Sequence, residues 1–172
     1  MPVWGSAVQA ELRDRIERYL RAHHTMTIAT ASSGSAALGE PAGNVPHAAS
    51  VFYAMDDSLR LVFLSKPSSL HGLHIGQSAP VAVTVSEDYA DWEMIQGVQL
   101  WGEARLLGGG AKAGALALYL RHFPFVRDLL QQSRWAEIIR NIGVYRVEPT
   151  QVAFTDNTTG VFGRAVLDLV VE

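Results

Sequence analysis

Apolar and polar residues alternate along several segments of the chain with the period of two that is typical of β-strands. The clearest example is the run from 79 to 86, in which valines alternate with alanine, threonine and serine. The run from 98 to 107 places Gln99 and Trp101 on one face and apolar residues on the other. The pattern predicts strands at about 25–31, 47–55, 59–64, 79–86, 98–107 and 142–155.

Helical periodicity is confined to three stretches. The first begins after Ser6, the expected N-cap, and repeats apolar residues every three or four positions as far as Leu20. A short helix is expected at 69–77, and a longer one at 111–139 that Pro124 interrupts. Because the strands come in consecutive groups, we expect one mainly β domain over residues 1–172, an antiparallel barrel with peripheral helices.

Two further segments complete this organisation. Residues 32–44 are rich in glycine, alanine, serine and proline, and predict a long loop rather than a tight hairpin. Residues 165–171 are mostly apolar and are interpreted as a packing segment.

Composition excludes several functional classes. The net charge is −3, and arginines are scattered rather than gathered into a basic stripe, so we expect no nucleic-acid surface. The absence of cysteine excludes disulfides, thiolate catalysis and iron–sulfur ligation. Charges throughout the first 25 residues argue against a signal peptide or a membrane span, and we expect a cytoplasmic protein.

The segment from 61 to 75 carries the strongest chemical signal. An apolar strand runs into a hydroxyl-rich turn with Ser65, Lys66, Ser68 and Ser69, and a short helix containing His71 follows. Hydroxyls, backbone amides and a nearby cation together can hold a phosphate. The alternative is structural: Ser68 and Ser69 cap the helix, while Lys66 and His71 face solvent.

Other chemistry-bearing residues point to no catalytic group. The chain has six histidines, but none has the spacing of a metal site, so His71 and His74 are interpreted as surface residues and no metal is predicted. No nucleophile elbow or paired carboxylate motif is present, so catalytic residues stay unassigned. Asp156 and Asn157 are typical of a turn cap before Gly160.

The order of these motifs resembles a known family over nearly the whole chain. The segments Leu-Ser-Lys-Pro-Ser-Ser-Leu-His at 64–71, Val-Ala-Val-Thr-Val at 81–85 and Gly-Val-Gln-Leu-Trp-Gly-Glu-Ala at 97–104 resemble the FMN-binding split barrels related to pyridoxamine 5′-phosphate oxidase. The stretch 121–127, together with Phe-Thr-Asp-Asn-Thr-Thr-Gly at 154–160 and Phe-Gly at 162–163, resembles the YhbP-type subfamily more narrowly.

The resemblance implies a homodimer of six-stranded antiparallel split β-barrels with two FMN sites between the subunits. By position, residues 65–71 correspond to the phosphate-binding turn, and 47–51 to the strand along the isoalloxazine edge. In this chain Leu70 and His71 stand where the oxidases carry an Arg-Lys pair, and Lys66 is expected to compensate. The implied cofactor-binding residues are His47, Ala49, Ser50, Val51, Ser65, Lys66, Ser68, Ser69, His71, Gln99, Trp101, Asp156 and Asn157.

The functional expectation is an FMN-dependent oxidoreductase, since flavin chemistry needs no separate acid–base pair in the protein. Pyridoxamine phosphate oxidase activity itself is not expected, because the paired arginines of its C-terminal signature are absent and only Arg164 follows Gly163. The alternatives are a non-catalytic flavin or haem binder, a barrel that has lost its cofactor, and deazaflavin in place of FMN. The substrate and the electron donor stay open.

Overall fold

The computed structural model describes residues 4–31, 45–130, 132, 141–160 and 163–169. The predicted loop at 32–44 and residues 131 and 133–139 of the predicted helical stretch 111–139 lie outside these residues. The helices are α1 (Trp4–Ala22), α2 (Leu70–Ile75), α3 (Gly109–His122) and α4 (Pro124–Leu130). The strands are β1 (Thr25–Ala31), β2 (Pro46–Met55), β3 (Leu61–Ser65), β4 (Ser78–Ser86), β5 (Gln96–Leu106), β6 (Gly143–Asp156) and β7 (Arg164–Asp168).

The sheet order is β3-β2-β1-β4-β5-β6-β7, and β3 also pairs with β6, so β1 to β6 close into a six-stranded barrel. All the pairings are antiparallel. Strand β6 is long enough to pair with β3 near its start and with β7 near its end. The predicted mainly β fold, a split barrel with peripheral helices, is confirmed.

The apolar core fills the barrel and continues under α1. Leu12, Ile16 and Leu20 of α1 are buried together with the inward-facing residues of the strands. Tyr53 ties this helix to the barrel, because its hydroxyl donates to the Leu20 carbonyl oxygen at 2.6 Å. A smaller cluster forms where Tyr119 of α3 and Phe123, the residue after that helix, contact the outer side of β3 and β6.

Several details differ from the sequence predictions. Helix α1 begins at Trp4, so Ser6 lies inside the helix and not at its N-cap position. Residues 164–168 form the strand β7. Of the predicted apolar packing segment 165–171, Leu167 is buried and Leu169 packs against the core, whereas Ala165 and Val166 are exposed and residues 170 and 171 lie outside the described residues. Here strand pairing with β6 satisfies the backbone, and the side chains on one face stay exposed.

The pairing of β5 with β6 shifts its register between Trp101 and Gly102. A side chain at Gly102 would clash with the carbonyl oxygen of Glu148, so this close approach of two backbones requires glycine. Within the described residues, no helix combines the length and the apolar character needed to cross a membrane.

Candidate functional site

The turn between β3 and α2 brings its hydroxyls and an imidazole together. Ser65 is the last residue of β3, and its Oγ lies 2.6 Å from Nε2 of His71. The Oγ of Ser69 lies 3.1 Å from both that nitrogen and Ser65 Oγ. Three of the residues predicted to hold the phosphate therefore meet at one point.

Local backbone geometry holds this turn in place. Ser69 is the N-cap of α2: its Oγ accepts from the Gly72 amide and donates to the Lys66 carbonyl oxygen. A Cβ at Gly72 would lie 2.6 Å from that same carbonyl oxygen, so glycine lets α2 pack directly on the turn. The structural alternative for Ser69, a helix cap, is thus confirmed, and it places the hydroxyl beside His71.

His71 is buried, with 8% of its surface exposed, so its interpretation as a surface residue is wrong. The side chain turns inward because the Ser65 and Ser69 hydroxyls offer hydrogen bonds there. Burial first, and then the nearby imidazoles of His47 and His74, lower the pKa of His71. The neutral ring is therefore the favoured form near pH 7.

The other two predicted residues of the turn have exposed side chains outside this group of contacts. Lys66 and Ser68 are exposed. Lys66 is one of only two lysines in the chain, and its position at the mouth of the turn leaves its ammonium group accessible to an anion.

On β2, His47, Ala49 and Val51 lie on the inward side of the strand, and Ser50 lies on the outward side. The His47 ring is parallel to the His71 ring, with centroids 5.9 Å apart. The structure therefore joins His47 to the turn, while Ser50 belongs to the outer face of the barrel, where its hydroxyl lies 3.4 Å from that of Thr27.

The outer face of β1, β4 and β5 carries the residues predicted to line the flavin groove. Gln99 and Trp101 project outward and border a cavity of about 270 Å³. The floor of the cavity is made of small residues. The Arg164 guanidinium lies 5.6 Å from the Trp101 ring centroid. The side chains that line the cavity are Thr27, Ala29, Ala82, Val83, Thr84, Gln99, Leu100 and Trp101.

Asp156 and Asn157 lie at the far end of β6 from the turn. The Asp156 carboxylate is buried and accepts hydrogen bonds from Arg15, Gln96 and Thr158. Burial acts to raise the pKa of Asp156, but these hydrogen bonds outweigh it and the pKa is lowered. Asp156 also caps the 3₁₀ turn Asn157–Thr159, so the predicted turn cap is confirmed.

Asn157 anchors the neighbouring loop. Its side-chain amide donates to the Trp92 carbonyl oxygen at 2.8 Å, and its backbone amide donates to Ile95. The structure thus shows an architectural role for both residues, and the contact with a cofactor that the resemblance implies for them stays a prediction.

Sequence reasoning missed four contributors to these sites. Thr30 contacts Nδ1 of His74 at 3.0 Å, and Thr27 and Thr84 line the outer cavity. Arg15 of α1 pairs with Asp156 across 141 residues of sequence. The alternation along β1 and β4 assigns Thr27 and Thr84 to the outward face and Thr30 to the inward face, but only the barrel closure brings them to a site.

Comparison with known proteins identifies relatives that are similar to this chain in sequence. It is 35% identical over 117 residues to a UPF0306 protein of Klebsiella pneumoniae, covering 67% of this chain and 71% of the relative. It is 34% identical over 117 residues to the UPF0306 protein YhbP of Salmonella paratyphi B, with the same coverage. A UPF0306 protein of Cronobacter sakazakii is 28% identical over 160 residues, covering 92% and 96% of the two chains. No family model matches the chain.

Solved structures share the fold at low identity. A haem-binding protein from Mycobacterium smegmatis aligns with a TM-score of 0.64 and 16% identity over 87% of this chain and 55% of its own. HutZ, a haem storage protein from Vibrio cholerae, aligns with a TM-score of 0.60 and 13% identity over 79% and 88%. A candidate pyridoxamine 5′-phosphate oxidase from Listeria innocua aligns with a TM-score of 0.56 and 18% identity over 82% and 95%.

The sequence relatives and the closed barrel agree with the resemblance drawn from the motifs. The chain belongs to the UPF0306 (YhbP) family, and its closed barrel has the fold that these structural neighbours share.

Proposed function

We propose that this protein binds FMN and acts as an FMN-dependent oxidoreductase. The observation that carries the proposal is the meeting of Ser65, Ser69 and His71 within 3.1 Å, beside the exposed Lys66. Hydroxyl and imidazole groups with a nearby ammonium are the donors that a phosphate monoester needs. The resemblance drawn from the motifs assigns the phosphate to this same turn.

The outer cavity offers a surface for the flat part of the cofactor. Ala29 and Ala82 leave the sheet surface low, and Trp101, whose ring lies beside the Arg164 guanidinium, forms one wall. Gln99 and the threonines supply hydrogen-bonding groups along that surface. FMN, when bound, would supply the electron or hydride transfer, and the protein would position the substrate and exclude water.

We also propose that the protein is a homodimer joined through this outer face. Phe52, Trp101 and Val166 are 48%, 36% and 41% exposed and lie on the outward side of β2, β5 and β7. Exposed apolar residues on a face of small side chains are typical of an interface. The central row of that face consists of Ser50, Thr27, Thr84, Gln99, Ala153 and Val166.

Light scattering tests the dimer. At low micromolar concentration we expect twice the mass of the chain, and replacing Trp101 with Glu should produce monomers, because a carboxylate would be buried at the interface. The control is Trp92→Glu, an exposed tryptophan in the 3₁₀ turn Trp92–Met94 that precedes β5. A folded wild-type monomer at these concentrations would contradict both the dimer and a cofactor site shared between subunits.

Haem binding without catalysis is the second candidate function. Two structural neighbours are a haem-binding and a haem storage protein, and His47, His71 and His74 provide imidazoles, the side chains that most often ligate haem iron. The visible spectrum of the purified and reconstituted protein separates the candidates. Flavin bands support FMN, a Soret band supports haem, and the absence of both after reconstitution contradicts both.

A further inference from the structure

Three imidazoles from two elements lie together beside the Ser65–Ser69 turn. His71 and His74 are three residues apart on α2 and therefore share a face of that helix. His47 comes from the inward side of β2, and its ring centroid lies 5.9 Å from that of His71 and 6.1 Å from that of His74. We call His47, His71 and His74 the histidine cluster.

The cluster is held by neutral hydroxyls. Nε2 of His71 contacts the hydroxyls of Ser65 and Ser69, and Nδ1 of His74 contacts Thr30 Oγ1 at 3.0 Å. A hydroxyl can accept from a protonated ring or donate to a neutral one. The cluster can therefore change its protonation without losing these contacts.

The charged groups around the cluster carry positive charge or are already paired. Helix α2 packs against β1, β2, β4 and β5. Strands β1 and β4 have no titratable side chains, and β2 contributes His47 and Tyr53, whose hydroxyl donates to the Leu20 carbonyl oxygen. On β5, Arg105 pairs with Glu103 at 3.1 Å, and the turn itself adds Lys66.

Like charges about 6 Å apart oppose one another, so without a ligand a proton on one imidazole disfavours a proton on the next. A dianionic phosphate beside the turn would reverse this balance, because it interacts favourably with each imidazolium. The free energy of binding would then include the uptake of a proton from the buffer onto a ring nitrogen.

We propose that the histidine cluster is the proton-accepting part of the phosphate site, so that a phosphate monoester binds together with a proton. This inference rests on the proposed FMN-binding function. It assigns a role to His74, which the sequence interpretation left on the surface. The resemblance implies only that strand 47–51 runs along the flavin, and the proposal adds a role for the His47 side chain.

Calorimetric titration with FMN at pH 7.0 tests the proposal. The phosphate of FMN, with a second pKa near 6, is then about 90% dianionic and can release only about 0.1 proton on binding. The binding enthalpy is measured in several phosphate-free buffers of different ionisation enthalpy. We expect an uptake approaching one proton per FMN, and an affinity that falls nearly tenfold from pH 7 to pH 8.

Variants identify the groups that accept the proton. His71→Gln keeps a hydrogen-bonding group near the Nε2 position and should abolish most of the uptake. His47→Gln and His74→Gln should reduce it. His122→Gln is the matched control, because His122 lies next to His24 and outside the cluster. Riboflavin, which lacks the phosphate, should bind without uptake in the wild-type protein.

The outcomes separate the two proposals. FMN binding with the same enthalpy in every buffer would overturn the role of the cluster and leave the proposed function standing. No binding of FMN would reject the proposed function. In that case NMR titration of the histidine Cε1–H signals tests the coupling directly: His47→Gln should raise the pKa of His71, and an unchanged pKa would overturn the inference.

Discussion

The two ends of β6 carry two groups of polar residues with opposite electrostatics. At the start, Gly143 pairs with Ser65 of the turn, where hydroxyls and imidazoles meet and Lys66 is the nearby ion. At the end, the buried Asp156 carboxylate already has a cationic partner, Arg15. The Asp156 carboxylate repels anions, and its counter-ion Arg15 is already engaged. The turn instead offers hydroxyl groups and imidazoles that can take up a proton, and these groups can bind an anion.

Removing the carboxylate should produce the largest change in stability. Asp156→Asn loses the ion pair with Arg15 and weakens the cap of the 3₁₀ turn Asn157–Thr159. We expect unfolding to become easier by about 3 kcal/mol, since a partly buried cation is left without its partner. Chemical denaturation followed by circular dichroism measures this loss.

The control for that variant is Asp168→Asn, an exposed carboxylate on β7 that accepts one hydrogen bond from Gln151. Its loss should stay below about 1 kcal/mol. If Asp156→Asn left stability unchanged but weakened FMN binding, Asp156 would belong to the cofactor site and the contrast between the two ends would fail.

At the turn, the expected effect is on affinity. Replacing Lys66 and Ser69 together by alanine removes a cation and a hydroxyl from the proposed phosphate site. Each charge-assisted contact is worth about 1.5 to 3 kcal/mol, so FMN binding should weaken by roughly two or more decades. Riboflavin affinity should change much less. Quenching of flavin fluorescence measures both dissociation constants.

Ser69 also caps α2, so its loss should cost about 1 kcal/mol of stability. Comparing the two flavins separates that structural cost from the loss of a phosphate contact, because both ligands experience it equally. The matched control is Lys112→Ala with Ser58→Ala, which removes the other lysine and an exposed serine. An equal loss for FMN and riboflavin would mean that the turn does not hold the phosphate.

The smallest expected effect is on the pH dependence of stability, which should differ between the two ends of β6. Burial and the neighbouring imidazoles lower the pKa of His71 below its ordinary value of 6.5, so the unfolded chain binds this proton more readily. Stability should therefore fall as the pH decreases through 6.5, and His71→Gln should flatten that decrease. Thermal unfolding between pH 7 and pH 5 measures it.

Asp156 should act in a different pH window. Its lowered pKa means that the folded state favours the carboxylate, so this contribution is present above the ordinary value of 3.8 and is lost as the pH falls through the lower folded value. Asp156→Asn should therefore leave the slope between pH 7 and pH 5 unchanged. A flatter slope in that variant would show that the two ends do not titrate independently.

The strands and their facing were readable from the sequence because burial follows the period of two. All six predicted strands are present, and Gln99 and Trp101 face outward as the alternation along β5 predicts. The turn after β3 was also recognisable, since a cap residue and a hydroxyl-rich loop are local features. Local rules could not place β7, whose five residues are stabilised by pairing with β6.

Tertiary structure alone decided the site's electrostatics. Sequence spacing could relate His71 to His74 on one helix, but the barrel closure brought His47 from β2 alongside them and turned His71 inward. In the same way, nothing near Asp156 in the sequence points to Arg15, 141 residues away. Charge interactions depend on distance in space and on burial, and a one-dimensional pattern contains neither.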